Sequence, residues 1–254
     1  MAYKTAGVAG ITLSDLAAME LARWGASHGR HGEITRGWMR RYGRHILRLL
    51  GAHVKTSLAR GDYLRGCDAE GKGRLFVMNH RSMLDIYVYL AHVEAFALSR
   101  ADLAGWPIIG TAARRVGTVF VDREDRKSGS AAVSAMVEAL RAGKGILVFP
   151  EGTTFAGDEV RAFRAGAFVA AARAKAEIVP AGVAYERDDA CFTDATFLEH
   201  WKKLGGMREI HLALEFGEPF RPEGDPEAAK VRAHEQVQAL VHAARKRLGK
   251  HTPA

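Results

Sequence analysis

The chain has 254 residues, 48% hydrophobic and 26% charged, which excludes a disordered tail or a fibrous repeat and allows one large domain with a sizeable core. Lys and Arg total 37 against 29 Asp and Glu, a net charge of +8 that favours anionic partners: phosphate-bearing ligands, nucleic acid or an acidic membrane surface. The two cysteines, Cys67 and Cys191, stand far apart, which argues against a disulfide framework or a cysteine zinc site and for a reducing compartment.

The first residues lack a basic head followed by an apolar block, so no secretory signal is expected. No stretch approaches the roughly 18–20 apolar residues that span a bilayer, so a membrane contact would be peripheral. Thr12-Leu-Ser-Asp15 has capping-box spacing, and Leu13, Leu16, Ala17, Leu21 and Trp24 follow at helical intervals, predicting a helix over about 13–24. A second helix is expected over about 35–50. Arg36, Arg40, Arg44 and Arg48 recur there every four residues beside Arg41 and His45, while Trp38, Met39, Tyr42, Ile46, Leu49 and Leu50 gather on the other side. Such a basic amphipathic helix suits a membrane interface; packed on its own domain with the arginines solvated, it would read the same way. Residues 1–51 are therefore expected to form an N-terminal helical arm on a membrane surface, and 52–254 a single domain.

From residue 52, short apolar runs alternate with helix-length segments. Strands are expected at Val54–Leu58, Leu75–Met78, Ala95–Leu98, Thr118–Val121, Ile146–Phe149, Ile178–Val183 and Ile210–Phe216. Helices are expected between Val121 and Ile146, from Phe163 to about Lys175, and from Pro226 to Leu248. This alternation predicts an α/β fold with a mixed, largely parallel central sheet and helices on both faces.

Nucleophile-elbow, Walker A, dinucleotide-fingerprint and zincin motifs are absent, and no motif demands a metal. Two strand ends remain. At Asn79-His80-Arg-Ser-Met-Leu-Asp85, His80 and Asp85 are five residues apart, about 140° around an ideal helix, so they meet only if His80 sits in the turn before the helix and Asp85 in its first turn. Asp85 then accepts the proton of one ring nitrogen and leaves the other as a general base; a helix-cap histidine is the plainer alternative. At Ile146-Leu-Val-Phe-Pro150-Glu151-Gly152-Thr153-Thr154, a buried strand delivers an acid and a glycine turn to the edge where open α/β sheets bind ligands, unless the turn merely caps a helix.

Together, in this order and spacing, these segments resemble the glycerolipid acyltransferase family, which includes the lysophosphatidic acid acyltransferases. Four blocks carry the resemblance: Asn79-His80 to Asp85, Gly117-Thr-Val-Phe120-Val-Asp122-Arg123, Phe149-Pro-Glu151-Gly152-Thr153, and Ile178-Val-Pro180-Ala-Gly182. The resemblance implies acyl transfer from an acyl-CoA or acyl carrier protein thioester to a lysolipid hydroxyl, without a further cofactor and without a covalent acyl-enzyme. It implies His80 as base with Asp85 as its orienter, Arg100 and Arg123 as acceptor-phosphate ligands, and Asn79, Glu151, Gly152 and Thr153 as shapers of the acceptor site. The family commonly carries Arg after FPEGT, and Thr154 stands here. That departure makes a different lysolipid, such as lyso-ornithine lipid, an alternative acceptor, with Arg161 or Arg164 as substitute ligands. The expected setting is peripheral, on the cytoplasmic face of the cell membrane. The competing class is a non-catalytic basic protein binding membrane or nucleic acid, although no nucleic-acid-binding motif is present and no nucleic-acid partner is expected.

Overall fold

The structure, a computed structural model, describes residues 2–57, 64–100, 105, 109–116, 118–121, 126–193 and 196–249. The elements run α1 (Ala2–Trp24), a 3-10 turn (His28–Arg30), α2 (His31–Leu50), β1 (Ala52–Ser57), β2 (Leu75–Met78), α3 (Leu84–His92), β3 (Phe96–Arg100) and α4 (Ile109–Val116). There follow β4 (Val119–Val121), α5 (Arg126–Arg141), β5 (Ile146–Val148), α6 (Gly166–Ala174), β6 (Ile178–Tyr185), α7 (Phe197–Gly206), β7 (Ile210–Phe216) and α8 (Pro226–Leu248).

The strands form one sheet in the order β1-β7-β6-β2-β5-β3-β4. Every neighbouring pair is parallel except β6 and β7, so β1 and β7 run against the other five. The sheet is mixed and largely parallel, as the alternation predicted. Because side chains alternate across a strand, β2 feeds two cores. Leu75 and Val77 join Met136 and Leu140 of α5, Phe168 and Ala171 of α6, and Val237 and Val241 of α8 on one face. Phe76 and Met78 join Ile46 and Leu50 of α2, Leu84 and Val88 of α3, and Leu204 of α7 on the other. Burial on both faces explains why β2 and β6 read as continuous apolar runs.

The first helix differs from expectation: it starts at Ala2, ten residues before the Thr12 cap signal. The Thr12 hydroxyl donates back to the Val8 carbonyl at 2.7 Å, and Asp15 accepts from His45 Nδ1 at 2.8 Å across the hairpin. The inner face of α1 is thus polar as well as apolar. Lys4 Nζ donates to the carbonyls of Leu50 (3.1 Å) and Met207 (2.6 Å), closing the ends of α2 and α7, and burial lowers its pKa. The outer face carries exposed Tyr3, Leu13, Leu21 and Trp24. At about 100° per residue these four fall within an arc of about 80°, opposite Lys4, Val8, Thr12, Asp15 and Met19.

On α2, Arg36 and Arg40 approach Glu94 at 3.5 and 3.7 Å, while Arg41, Arg44 and Arg48 are exposed. The same helix meets α3 closely at Gly43, where a Cβ would lie 2.7 Å from the Ala91 nitrogen and 2.8 Å from the Tyr87 carbonyl oxygen. α4 and α7 were not anticipated; α7 opens on a capping box formed by Thr196 and Glu199. Among the described residues, no helix is long and apolar enough to cross a membrane.

Candidate active site

β2 ends at Met78 and α3 begins at Leu84, which places His80 in the connecting turn and Asp85 in the first helical turn. His80 Nδ1 and Asp85 Oδ2 lie 2.8 Å apart. A carboxylate only accepts, so Nδ1 carries the hydrogen and the lone pair belongs to Nε2. The imidazole stacks on the Phe149 ring, centroids 4.1 Å apart, and keeps 19% of its side-chain surface exposed, whereas the Asp85 side chain is fully buried. A fully buried carboxylate behind a partly exposed imidazole is an arrangement that suits a general base.

Asp85 is fixed from three further directions. Its Oδ2 accepts from the backbone N–H groups of Arg81 (2.6 Å) and Ser82 (2.8 Å), and its Oδ1 accepts from the Tyr185 hydroxyl at 2.6 Å. Burial, and then the charge of Asp85 and the bond to it, push the Tyr185 phenol well above the usual tyrosine value, so it remains a donor. Ser82 Oγ in turn lies 3.1 Å from His200 Nε2, and the His200 ring stacks on Phe192 with centroids 4.6 Å apart.

The FPEGT turn packs against this motif through Glu151. Its side chain is fully buried, with Oε2 accepting from the His80 N–H (2.6 Å) and Oε1 from the Arg161 N–H (2.8 Å). Arg81, 1% exposed, donates Nη1 to both Glu151 oxygens at 3.0–3.1 Å and to the His80 carbonyl at 2.9 Å. Its Nε and Nη2 reach the carbonyls of Gly157 and Glu159, each at 2.7 Å. The Glu151 carboxylate therefore points into the protein and holds the His80 backbone. Asn79 is buried too, exchanging two hydrogen bonds with the Val183 backbone that join the end of β2 to β6. Gly152 takes φ +82°, where a side chain is strained, and its N–H donates to the Phe149 carbonyl. Thr153 is exposed on the turn. Thr154, in the place of the family arginine, donates its hydroxyl inward to the Phe192 carbonyl at 2.7 Å.

Arg100 closes β3 beside Val121 of β4. The Arg100 side chain and the whole of Arg123 lie outside the described residues. The structure thus brings His80, Asp85, Asn79, Glu151 and Gly152 together. Sequence reasoning missed Tyr185, Arg81 and Ser82. The latter two sit inside the HxxxxD block and were readable as candidates, but Tyr185 ends an uninterrupted apolar strand that marks no residue for the site. Burial pushes the Cys191 thiol up to about 12, helped by Asp85 and Asp188, so it stays protonated and unreactive near the site. Among the described residues, no cluster of three or more His, Cys, Asp or Glu is placed to hold a metal.

The chain is similar to known proteins of one family. An acyltransferase family model matches residues 53–184. The chain is 31% identical over 184 residues to a lyso-ornithine lipid O-acyltransferase of Pseudomonas aeruginosa, covering 68% of this chain and 69% of that protein. A 1-acyl-sn-glycerol-3-phosphate acyltransferase of Neisseria gonorrhoeae is 30% identical over 113 residues, 44% of each chain. The crystal structure of the 1-acyl-sn-glycerophosphate acyltransferase of Thermotoga maritima superposes with a TM-score of 0.74, covering 97% of this chain and all of that one at 18% identity, and shows the same fold.

Proposed function

Because the chain belongs to the acyltransferase family, we propose that it moves a fatty acyl group from an acyl-CoA or acyl carrier protein thioester to the free hydroxyl of a lysolipid at a membrane surface. The observation that carries this reading is the His80–Asp85 pair at the carboxyl end of β2, with one ring nitrogen held and the imidazole partly exposed. His80 Nε2 takes the hydroxyl proton as the oxygen attacks the thioester carbonyl, and Asp85 stabilises the resulting imidazolium. Collapse of the tetrahedral adduct breaks the C–S bond and forms the ester, and the imidazolium returns the proton to the departing thiolate. The carbonyl is already activated, so no covalent acyl-enzyme is needed.

A 1-acylglycerol-3-phosphate-like lysophospholipid is the first candidate acceptor. A lyso-ornithine lipid is the second, and one feature favours it: Thr154 turns inward to Phe192 and offers no guanidinium where the family commonly has one. The membrane contact is supported by the exposed apolar stripe of α1 beside the exposed arginines of α2, on the cytoplasmic face where thioester donors are found. The test is thiol release from acyl-CoA and acyl carrier protein with a panel of lysolipids. Release that depends on lysolipid and disappears in His80→Ala is expected; undiminished turnover in that variant refutes the assigned base, and no turnover with any lysolipid refutes the reaction.

A further inference from the structure

A second histidine stands behind the HxxxxD turn. His200 is fully buried on α7, 118 residues beyond Ser82, and belongs to none of the four blocks that carry the family resemblance. The helix that carries it is anchored along its length. It opens on the Thr196–Glu199 capping box, Trp201 Nε1 donates to Thr5 Oγ1 of α1 at 2.9 Å, and Lys4 holds the Met207 carbonyl at its end. The His200 ring lies on Phe192 with an interplanar angle of 7°. Phe192 is bonded to both turns of the site: its N–H donates to the Arg81 carbonyl at 2.6 Å, and its carbonyl accepts from Thr154.

The hydrogens behind Asp85 have one consistent order. The Tyr185 hydroxyl gives its only hydrogen to Asp85 Oδ1, so any bond made to the phenol oxygen must be donated to it. Burial raises the Tyr185 pKa, and a bond from the Ser82 side chain opposes that rise, as a bond donated to the phenol oxygen does. With its hydrogen spent there, Ser82 Oγ accepts from the Leu84 N–H at 3.3 Å and from His200 Nε2 at 3.1 Å, which fills both lone pairs. His200 Nε2 is then the hydrogen-bearing nitrogen. The donors run from His200 to Ser82 to Tyr185 to Asp85, all within the buried interior. Ser82 meets the same carboxylate by a second route, its N–H donating to Oδ2 at 2.8 Å.

We propose that His200 is a positioning residue for the base: through Ser82 and Tyr185 it holds the Asp85 carboxylate in the orientation that fixes the His80 tautomer and aims Nε2 outward. This assignment rests on the lysolipid acyltransferase reading. A hydroxyl such as that of Ser82 rotates freely until its neighbours fix it, and in a dry interior each bond of such a chain polarises the next. Removing the first donor leaves a lone pair of Ser82 unfilled and the hydroxyl free to turn from the phenol. His200 is fully buried and touches no acceptor, so its loss is expected in kcat and not in KM.

The test compares the full chain with His200→Phe, His200→Gln, Ser82→Ala and the His200→Phe, Ser82→Ala pair. Phe keeps a ring on Phe192 without the N–H, and Gln restores an N–H near the place of Nε2. Thiol release is followed in mixed micelles with 1-acylglycerol-3-phosphate or lyso-ornithine lipid as acceptor. His200→Phe is expected to lower kcat by about tenfold, with both KM values within about twofold of the parent. His200→Gln is expected to return to within about threefold of the parent, and the paired variant to match Ser82→Ala within about twofold, because both act through one hydroxyl. An unchanged kcat in folded His200→Phe, a raised acceptor KM instead, losses that multiply in the pair, or no recovery with Gln overturns the proposal. If His200→Phe does not fold, Ser82→Ala and the His200 tautomer of the parent chain decide. Nuclear magnetic resonance of isotope-labelled imidazoles reads that tautomer without substrate. His200 Nε2 is expected to carry a hydrogen, and the His80 Nδ1–H signal to shift in Ser82→Ala and His200→Phe and to return in His200→Gln. A bare His200 Nε2, or a His80 signal that is the same in every variant, rejects the assignment even where no lysolipid is turned over, which separates its failure from that of the reaction.

Discussion

The Tyr185 hydroxyl donates to Asp85 Oδ1 at 2.6 Å while His80 holds Oδ2 of the same carboxylate. Phenol and imidazole thus share one buried charge. Removing the phenol donor leaves one oxygen of that buried carboxylate without its partner and loosens the group that holds the imidazole. Tyr185→Phe is expected to lower kcat by about tenfold with the acceptor KM little changed. A kcat equal to that of the parent would show that the phenol acts by packing alone.

The Arg81–Glu151 pair lies beneath the base with both side chains at or below 1% exposure. Glu151→Ala leaves a guanidinium uncompensated in the interior, which costs about 3–5 kcal/mol. Urea unfolding is expected to show that loss as a lower midpoint with an unchanged slope. A cost below about 1 kcal/mol would mean that water reaches Arg81.

Stability is expected to fall in alkali. Burial pushes the phenols of Tyr87, Tyr89 and Tyr185 well above the usual tyrosine value, that of Tyr42 upward, and the Cys191 thiol up to about 12. These are acids with raised native pKa values, so above their unfolded values the native chain holds protons that the unfolded chain has released. Stability therefore drops as pH rises, beginning near the thiol's ordinary 9.0 and steepening near pH 10 as the phenols of the unfolded chain ionise. Each group adds about 1.4 kcal/mol per pH unit until its native value is reached. Chemical unfolding at pH 8, 9, 10 and 11 checks this, and a flat series across that range contradicts it.

The outer stripe of α1 is expected to carry vesicle binding. Leu21→Glu with Trp24→Glu should reduce sedimentation with anionic liposomes by about tenfold or more while leaving thiol release with a short-chain, monomeric acceptor unchanged. Replacing Arg41, Arg44 and Arg48 by Gln should weaken binding mainly at low salt. Unaltered sedimentation of the double Glu variant would move the membrane contact elsewhere.

Elements whose apolar residues face the core were the legible ones. β2 and β7 have the limits the sequence suggested, and α8 begins at Pro226 because Asp225 caps it and accepts from the Glu227 and Ala228 N–H groups. α1 was misread because its core-facing side holds Lys4, Thr12 and Asp15 beside Val8 and Met19 while Leu13, Leu21 and Trp24 look outward, so a polar pair in mid-helix passed for a cap. At the site, His80, Asp85 and Glu151 were legible because their spacing forces a turn between strand and helix. Tyr185 was not, since position 185 is chosen by the register of β6 against β2 and β7, a long-range pairing that no local pattern announces.

The near touch of backbones at Gly43 makes α2 and α3 a single lever. Asp85 stands at the start of α3, and α2 is itself one arm of the helical hairpin, so a tilt of the hairpin would carry the His80–Asp85 pair with it. If the proposed function holds, the height of His80 above a membrane under the hairpin is set by two helices in van der Waals register, and a bulkier residue at position 43 would alter that height before it altered His80 or Asp85.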